Sequence, residues 1–192
     1  MPDIDADPRN VPLADPRLVA LWRQWLVARG SRLMPSRRAI DPTGMPQTLP
    51  HLFVYDYDRA ADRFFCRLAG EEINIGAGTN CTRRHLEEIF PPHIVAALRE
   101  RYGRVVHAPT LAHMHGVIYM VNDVRVPGER LLLPLSEDGI TATGLIGGAV
   151  YHRPATLPSG VLADEPVVAA SFPGLPPAGW MPPDSTPKEP GM

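Results

Sequence analysis

The sequence predicts a single α+β domain built on a five-stranded antiparallel sheet. Two β-rich runs come before a group of helical patterns, and three β-rich runs follow it. Short connections within each group favour antiparallel neighbours, because parallel strands need long crossover connections. The chain has 192 residues, of which 44% are hydrophobic and 21% charged, which is typical of one soluble globular domain with some excess length.

An amphipathic helix is predicted to open the domain. Asp15 is a favoured N-cap, Pro16 suits the first helical position, and Gly30 provides the stop. The apolar residues between them follow helical spacing: Leu18, Leu21, Trp22, Trp25 and Leu26. Two tryptophans on one stripe must be buried, so Trp22 and Trp25 either pack on the domain's own sheet or form an interaction surface for a partner or a second copy. Residues 1–14 are expected to be a flexible N-terminus.

The first two strands are predicted at 51–57 and 63–69. Four prolines between residues 34 and 50 favour an extended connection before them. Residues 58–62 separate the two β-rich runs, and this length indicates a β-hairpin.

Three helical segments are predicted next. Glycines bound a short one around 71–75, and a second short helix is expected over 80–89. A longer helix starts at Pro92, and its apolar stripe is Ile94, Val95, Leu98, Tyr102, Val105 and Val106.

The last three strands are predicted at 111–121, 130–135 and 141–151. Pro127-Gly128 indicates a turn between the first two, and residues 136–139 indicate a tight turn before the third. Gly147 and Gly148 in the third strand indicate a bulge or close packing.

The segment from Pro154 to Met192 has a different composition. It contains ten of the 23 prolines of the chain, together with many Gly, Ser and Ala residues. Such a composition buries too little apolar surface to offset its ordering entropy. The sequence therefore predicts a folded domain over 15–153 and a proline-rich, disordered tail over 154–192.

Composition argues against several classes of function. A formal net charge of −2 provides no field that attracts nucleic acid or an anionic membrane. No apolar run approaches the roughly 20 residues that cross a bilayer, and the acidic start is unlike a secretory leader, so a cytoplasmic location is expected. No phosphate-binding loop, G-x-S-x-G elbow or H-E-x-x-H pair occurs, and no catalytic constellation is visible.

Five short motifs, in order along the chain, resemble a proteobacterial family of small PAS-like proteins. They are Leu33-Met-Pro-Ser-Arg37, Ile40-Asp-Pro42, Leu49-Pro-His-Leu-Phe-Val54, Phe65-Cys-Arg-Leu-Ala-Gly70 and Leu131-Leu-Leu-Pro-Leu-Ser136. The resemblance implies a PAS-type sheet with helices on one face, a cavity that accepts a small ligand, and a sensory or regulatory role. It brings no catalytic residues with it.

His113 and His115 are the strongest chemical signal in the sequence. At positions i and i+2 of a strand, both side chains point to one face of the sheet. The pair could ligate a metal or a haem iron, and the alternative is two polar residues on a solvated face. No third ligand follows from spacing, so no metal site is assigned and the cofactor is unknown.

Arg37 and Arg67 are candidate anchors for the acid group of a ligand. The alternative is structural anchoring, for which Asp41 and Asp56 are available as partners. Of the two cysteines, Cys66 fits a buried strand position. Cys81 precedes a predicted helix, where a thiolate would be stabilised, or it is simply packed.

These patterns leave three hypotheses of function. The first is a stand-alone sensory domain that binds a small ligand or a protein partner, including a second copy, and signals through protein contacts. The second is a structural adaptor whose pocket is filled by its own side chains. The third is a haem- or metal-binding protein that uses His113 or His115.

Overall fold

The computed structural model describes residues 9–121, 124–152, 169–171 and 174–182. Within these ranges the chain forms four α-helices: α1 (Pro16–Arg29), α2 (Glu71–Ala77), α3 (Leu86–Ile89) and α4 (Pro92–His107). The same ranges hold seven strands: β1 (Leu52–Asp58), β2 (Arg63–Ala69), β3 (Arg84–His85), β4 (Ala112–Val121), β5 (Val124–Leu135), β6 (Gly144–Tyr151) and β7 (Ala169–Ser171).

All seven strands join one antiparallel sheet in the order β3-β2-β1-β6-β5-β4-β7. The α+β fold class is confirmed, and the five longer strands are the five predicted from the sequence. The described residues add β3 and β7 to them. β3 is too short for an alternating pattern to reveal it, and β7 lies in the proline-rich segment.

The predicted turn at Pro127-Gly128 is wrong, because both residues lie inside β5. Pro127 lies opposite Val117, beside a shift in the β4–β5 register, and such an irregularity tolerates a residue without an N–H donor. Glycine is required next to it: a Cβ on Gly128 would lie 2.3 Å from the carbonyl oxygen of Val150. β4 and β5 are therefore the two arms of one long hairpin.

The short helix predicted over 80–89 is confirmed only for its last turn, α3. Arg83 has a left-handed φ of 64°, which interrupts any helix there. The next residue, Arg84, pairs with Cys66 of β2. α3 then starts after His85, whose backbone N–H donates to the Glu88 carboxylate at 2.6 Å.

Different helices cover the two faces of the sheet. On the inner face, Tyr102 of α4 packs against Phe53 and Tyr55 of β1, with ring centroids 6.2 and 5.4 Å apart. On the outer face lies α1, so close that a Cβ on Gly148 would lie 2.6 Å from a methyl group of Leu18. The prediction of helices on one face therefore holds for α2 and α4, whereas α1 occupies the opposite face.

The predicted start and end of α1 agree with the structure. The Asp15 carboxylate accepts a hydrogen bond from the Arg17 backbone at 2.9 Å, and Gly30 follows the last turn with a left-handed φ of 55°. The five apolar residues of the predicted stripe are all buried. Burial of this stripe on the sheet stabilises the helix more than its propensity does.

Two parts of the predicted tail lie against the domain. β7 pairs with β4 at His113–His115, and residues 174–182 return to the end of α1 near Arg29. These residues differ from the loose tail that the proline content predicts, because a strand edge and a buried arginine provide hydrogen-bonding partners for them. Residues 1–8, 154–168, 172–173 and 183–192 of the predicted termini lie outside the described residues.

Candidate functional site

The inner face of the sheet and helices α2 and α4 enclose a cavity of only about 20 Å³. Aromatic side chains occupy most of this space, among them Phe53, Tyr55, Phe90 and Tyr102. A water molecule needs about 10–15 Å³ by this kind of measure, whereas ligand pockets usually hold about 300–1,000 Å³. The cavity that the resemblance implied is present, but in this conformation it has room for about one water molecule.

Arg130 lines this cavity and is only 3% exposed. Its Nη2 atom lies 3.5 Å from the hydroxyl oxygen of Tyr151. Arg130 was not among the site residues predicted from the sequence. The charged pair Glu129-Arg130 beside the apolar run 131–135 could have indicated it. Because neighbouring residues of a strand point to opposite faces, Arg130 faces the cavity and Glu129 faces α1.

His113 and His115 lie on one face of β4 as predicted, with ring centroids 5.6 Å apart. The face is the outer one, away from the cavity. His113 is 2% exposed, and its Nε2 atom lies 2.8 Å from a carboxylate oxygen of Glu129. Burial, together with the neighbouring His115, lowers the pKa of His113 below its ordinary value although Glu129 raises it, so the ring is neutral near pH 7 and donates its Nε2 proton to the carboxylate.

Glu129 connects His113 to the two residues that precede α1. Its carboxylate accepts hydrogen bonds from the backbone N–H groups of Ala14 at 3.0 Å and Asp15 at 2.8 Å. We call these four groups, including the His113 ring, the Glu129 clamp. An open groove of about 430 Å³ lies beside it and includes His115. No group of three potential metal-ligating side chains occurs among the residues described.

Neither candidate anchor arginine lines the inner cavity. Arg67 forms an ion pair with Asp56 and lies over the Phe65 ring, 5.3 Å from its centroid. This geometry agrees with structural anchoring by Asp56, one of the two partners considered. Arg37 lies exposed in a short 3₁₀ turn, Arg37–Ala39.

The tryptophans of α1 lie inside the fold. Trp25 is fully buried, and its indole N–H donates to the carbonyl oxygen of Pro134 at 2.9 Å. Trp22 stacks on it with a centroid distance of 5.5 Å. Both rings are buried in the domain, which agrees with packing on the domain's own sheet, the first of the two alternatives.

Both cysteines are buried free thiols. Burial raises the pKa of Cys66 to about 12 and that of Cys81 to about 11. A thiolate is the reactive form of cysteine, so this geometry does not support a role for Cys81 as a reactive thiolate.

A second concave surface is an open groove of about 980 Å³. It lies between the β1–β2 hairpin, the C-terminal half of α4 and Gly174. We call it the α4 groove. Charged residues of both signs line it, including Asp62, Arg99, Glu100 and Arg104.

A hydrogen-bonded network builds one wall of the α4 groove. The Tyr57 hydroxyl donates to Asp62 at 2.9 Å, so the Nε2 atom of His107, 2.6 Å from the same oxygen, is the donor in that contact. Arg99 also donates to the Asp62 carboxylate at 2.6 Å, and both donors lower the pKa of Asp62. The sequence analysis missed this network, because it joins residues up to 50 positions apart.

The comparisons with known proteins agree with this architecture. No curated protein matches the chain. None of the described helices is both long and apolar enough to cross a bilayer. Residues 14–149 match the family model described as PAS domain, and this range holds α1, the two hairpins of the sheet and the helices over its inner face. The chain therefore belongs to the PAS domain family.

Proposed function

We propose that the chain is a PAS-type sensory or regulatory domain that acts by binding a protein partner. PAS domains are generally sensory domains without catalytic activity, and family membership supports this class of function. One observation carries the choice of a protein partner over a bulky cofactor: the inner cavity measures about 20 Å³. Among the three hypotheses from the sequence, this favours protein contacts and a cavity filled by the domain's own side chains.

The haem or metal reading loses support from the same geometry. Haem needs a large cavity and an accessible imidazole nitrogen. His113 lies on the opposite face from the cavity, and its Nε2 atom is bonded to Glu129. His115 is exposed beside the smaller groove, without two further ligands placed around it in the described part of the chain.

The α4 groove is the surface that we propose for the partner. It is an open groove of about 980 Å³, and the Tyr57–Asp62–Arg99 network holds the side chains of one wall in place. Acidic and basic groups both line it, so a partner segment that carries charges of both signs fits it best. The partner is either another protein or a second copy of this chain, as the sequence left open.

Site-specific photo-crosslinking in cells tests this proposal. A photo-reactive amino acid replaces Ala108, which lines the groove and is exposed, and in a control it replaces Arg23, which is exposed on α1. The proposal predicts one discrete adduct from position 108, lost on Arg99→Glu and absent from position 23. The adduct's mass distinguishes a homodimer from another protein.

Equal labelling from both positions, or an adduct that persists in Arg99→Glu, would contradict a partner at this groove. A small molecule bound stoichiometrically to the purified chain, with no adduct from position 108, would instead establish the ligand-sensing hypothesis.

A further inference from the structure

Residues 174–182, here called the strap, return from the β4 edge to the end of α1. They are held there by Arg29, whose guanidinium donates to three backbone carbonyl oxygens. The acceptors are Pro176 at 2.9 Å, Pro177 at 2.7 Å and Trp180 at 3.2 Å. The guanidinium also lies over the Trp25 ring, 5.2 Å from its centroid. These three hydrogen bonds between α1 and the strap therefore all come from the side chain of Arg29.

Arg29 is an unusual anchor because it is a buried cation bonded to neutral groups. It is 2% exposed, and its Nε atom has no hydrogen-bond partner among the described residues. Burial lowers its pKa, which reflects the cost of removing the charge from water. A guanidinium binds a carboxylate better than carbonyl oxygens. The closed strap thus leaves part of the hydrogen-bonding capacity of Arg29 unused.

The opposite end of the strap is held by two hydrogen bonds. The Gly174 N–H donates to the Thr110 hydroxyl oxygen at 2.8 Å, and the Leu111 N–H donates to the Gly174 carbonyl at 3.2 Å. The strap's three prolines have no N–H donors to add to these. Only Pro176 of its nine residues is buried, although Leu175 and Trp180 pack partly on the core. Segments with so few buried contacts open well before the whole domain unfolds.

The strap lies outside residues 14–149, the range that matches the PAS family model. Gly174 also borders the α4 groove. We propose that the strap is a releasable element latched by Arg29, and that its release uncovers Arg29 and reshapes the adjoining wall of the α4 groove. The effect on partner binding rests on the proposed function, whereas the release itself does not.

Residue-resolved amide hydrogen exchange of the full chain tests the latch without any partner. The reporters are the amides of Leu111, Gly174 and Trp180, and the amides of β1 are the reference for the core. Arg29→Met keeps a long apolar side chain on Trp25 and removes all three strap hydrogen bonds. We expect the strap reporters to exchange at least about 10–100-fold faster, because the loss of even one of the three charge-assisted hydrogen bonds has an effect of that size.

Matched variants separate the latch from a general loss of stability. Arg23→Met removes an exposed arginine of the same helix and is expected to change no reporter. Thr110→Val removes the hydroxyl that accepts from Gly174 and donates to the Leu111 carbonyl oxygen, and it is expected to speed exchange at Gly174 and Leu111 while β1 is unchanged.

Two results would overturn the proposal. One is strap protection that stays at the wild-type level in both Arg29→Met and Thr110→Val. The other is an equal rise at the strap reporters and in β1, which would make the strap part of the global folding unit. If the strap opens as expected but crosslinking from position 108 does not change, the strap is releasable and its link to the partner site fails.

Discussion

Replacing Glu129 by Gln tests how α1 is attached to the outer face of the sheet. The carboxylate is 5% exposed and accepts hydrogen bonds from three donors: the N–H groups of Ala14 and Asp15 and the His113 ring. Glutamine has the same shape, but it is neutral and offers one acceptor oxygen. One or two of the three donors then face an NH₂ group instead of an oxygen.

The expected loss follows from these contacts. Hydrogen bonds to a charged group contribute about 1.5–3 kcal/mol each, and a buried donor left unsatisfied costs about 1–3 kcal/mol. Gln keeps one good acceptor, so we expect Glu129→Gln to lower the free energy of unfolding by about 2–3 kcal/mol. Glu129→Leu, which removes every acceptor, should cost more, about 3–5 kcal/mol.

Urea unfolding at pH 7.5, followed by the fluorescence of Trp22 and Trp25 in α1, measures the loss in the free energy of unfolding. Glu137→Gln is the matched control, because Glu137 is exposed and its replacement should change the free energy of unfolding by no more than about 0.5 kcal/mol. A loss in Glu129→Gln as small as that of the control, with an unchanged m-value, would refute the role assigned to the Glu129 clamp.

Three further predictions concern protons, thiols and packing. The lowered pKa of His113 means that the unfolded chain binds a proton at this residue more tightly than the folded chain does. The contribution of His113 to the free energy of unfolding should therefore be constant above about pH 6.5 and fall as pH drops through the lowered pKa. The fall should be smaller in His113→Gln. Cys66 and Cys81 should react with a thiol reagent only after urea unfolding, since burial raises both pKa values; labelling of the folded chain at pH 8 would contradict this. A Cβ on Gly147 would lie 2.3 Å from the Phe53 ring, so Gly147→Ala should cost about 1–3 kcal/mol in urea unfolding, and a neutral effect would disprove the close packing.

Local signals in the sequence account for the best-predicted parts of the fold. α1 carries an N-cap, a helical apolar stripe and a terminal glycine within 16 residues, 15–30, and each of these acts over neighbouring positions. The long hairpin β4–β5 was predicted with a wrong turn. Pro127-Gly128 is a turn signal by local rules, but pairing with Val117 and the close approach of Val150 hold it inside a strand.

The site depends on contacts that no local pattern records. The same-face position of His113 and His115 followed from strand geometry alone. The pairing of β4 with β5 determines which face of the sheet the two histidines occupy. It also makes Glu129 the partner of His113. Arg29 has the spacing of an ordinary last-turn helix cation, whereas its hydrogen bond to Pro176 joins residues 147 positions apart, which no local pattern reveals.

Native mass spectrometry of the full chain tests whether this PAS domain acts through protein contacts, with an inner cavity filled by its own side chains. For protein purified without denaturation, we expect the mass of the polypeptide alone, or of its complex with another polypeptide. A small molecule retained at one per chain, and lost when Arg130→Leu or Ala77→Leu alters the wall of the inner cavity, would contradict it.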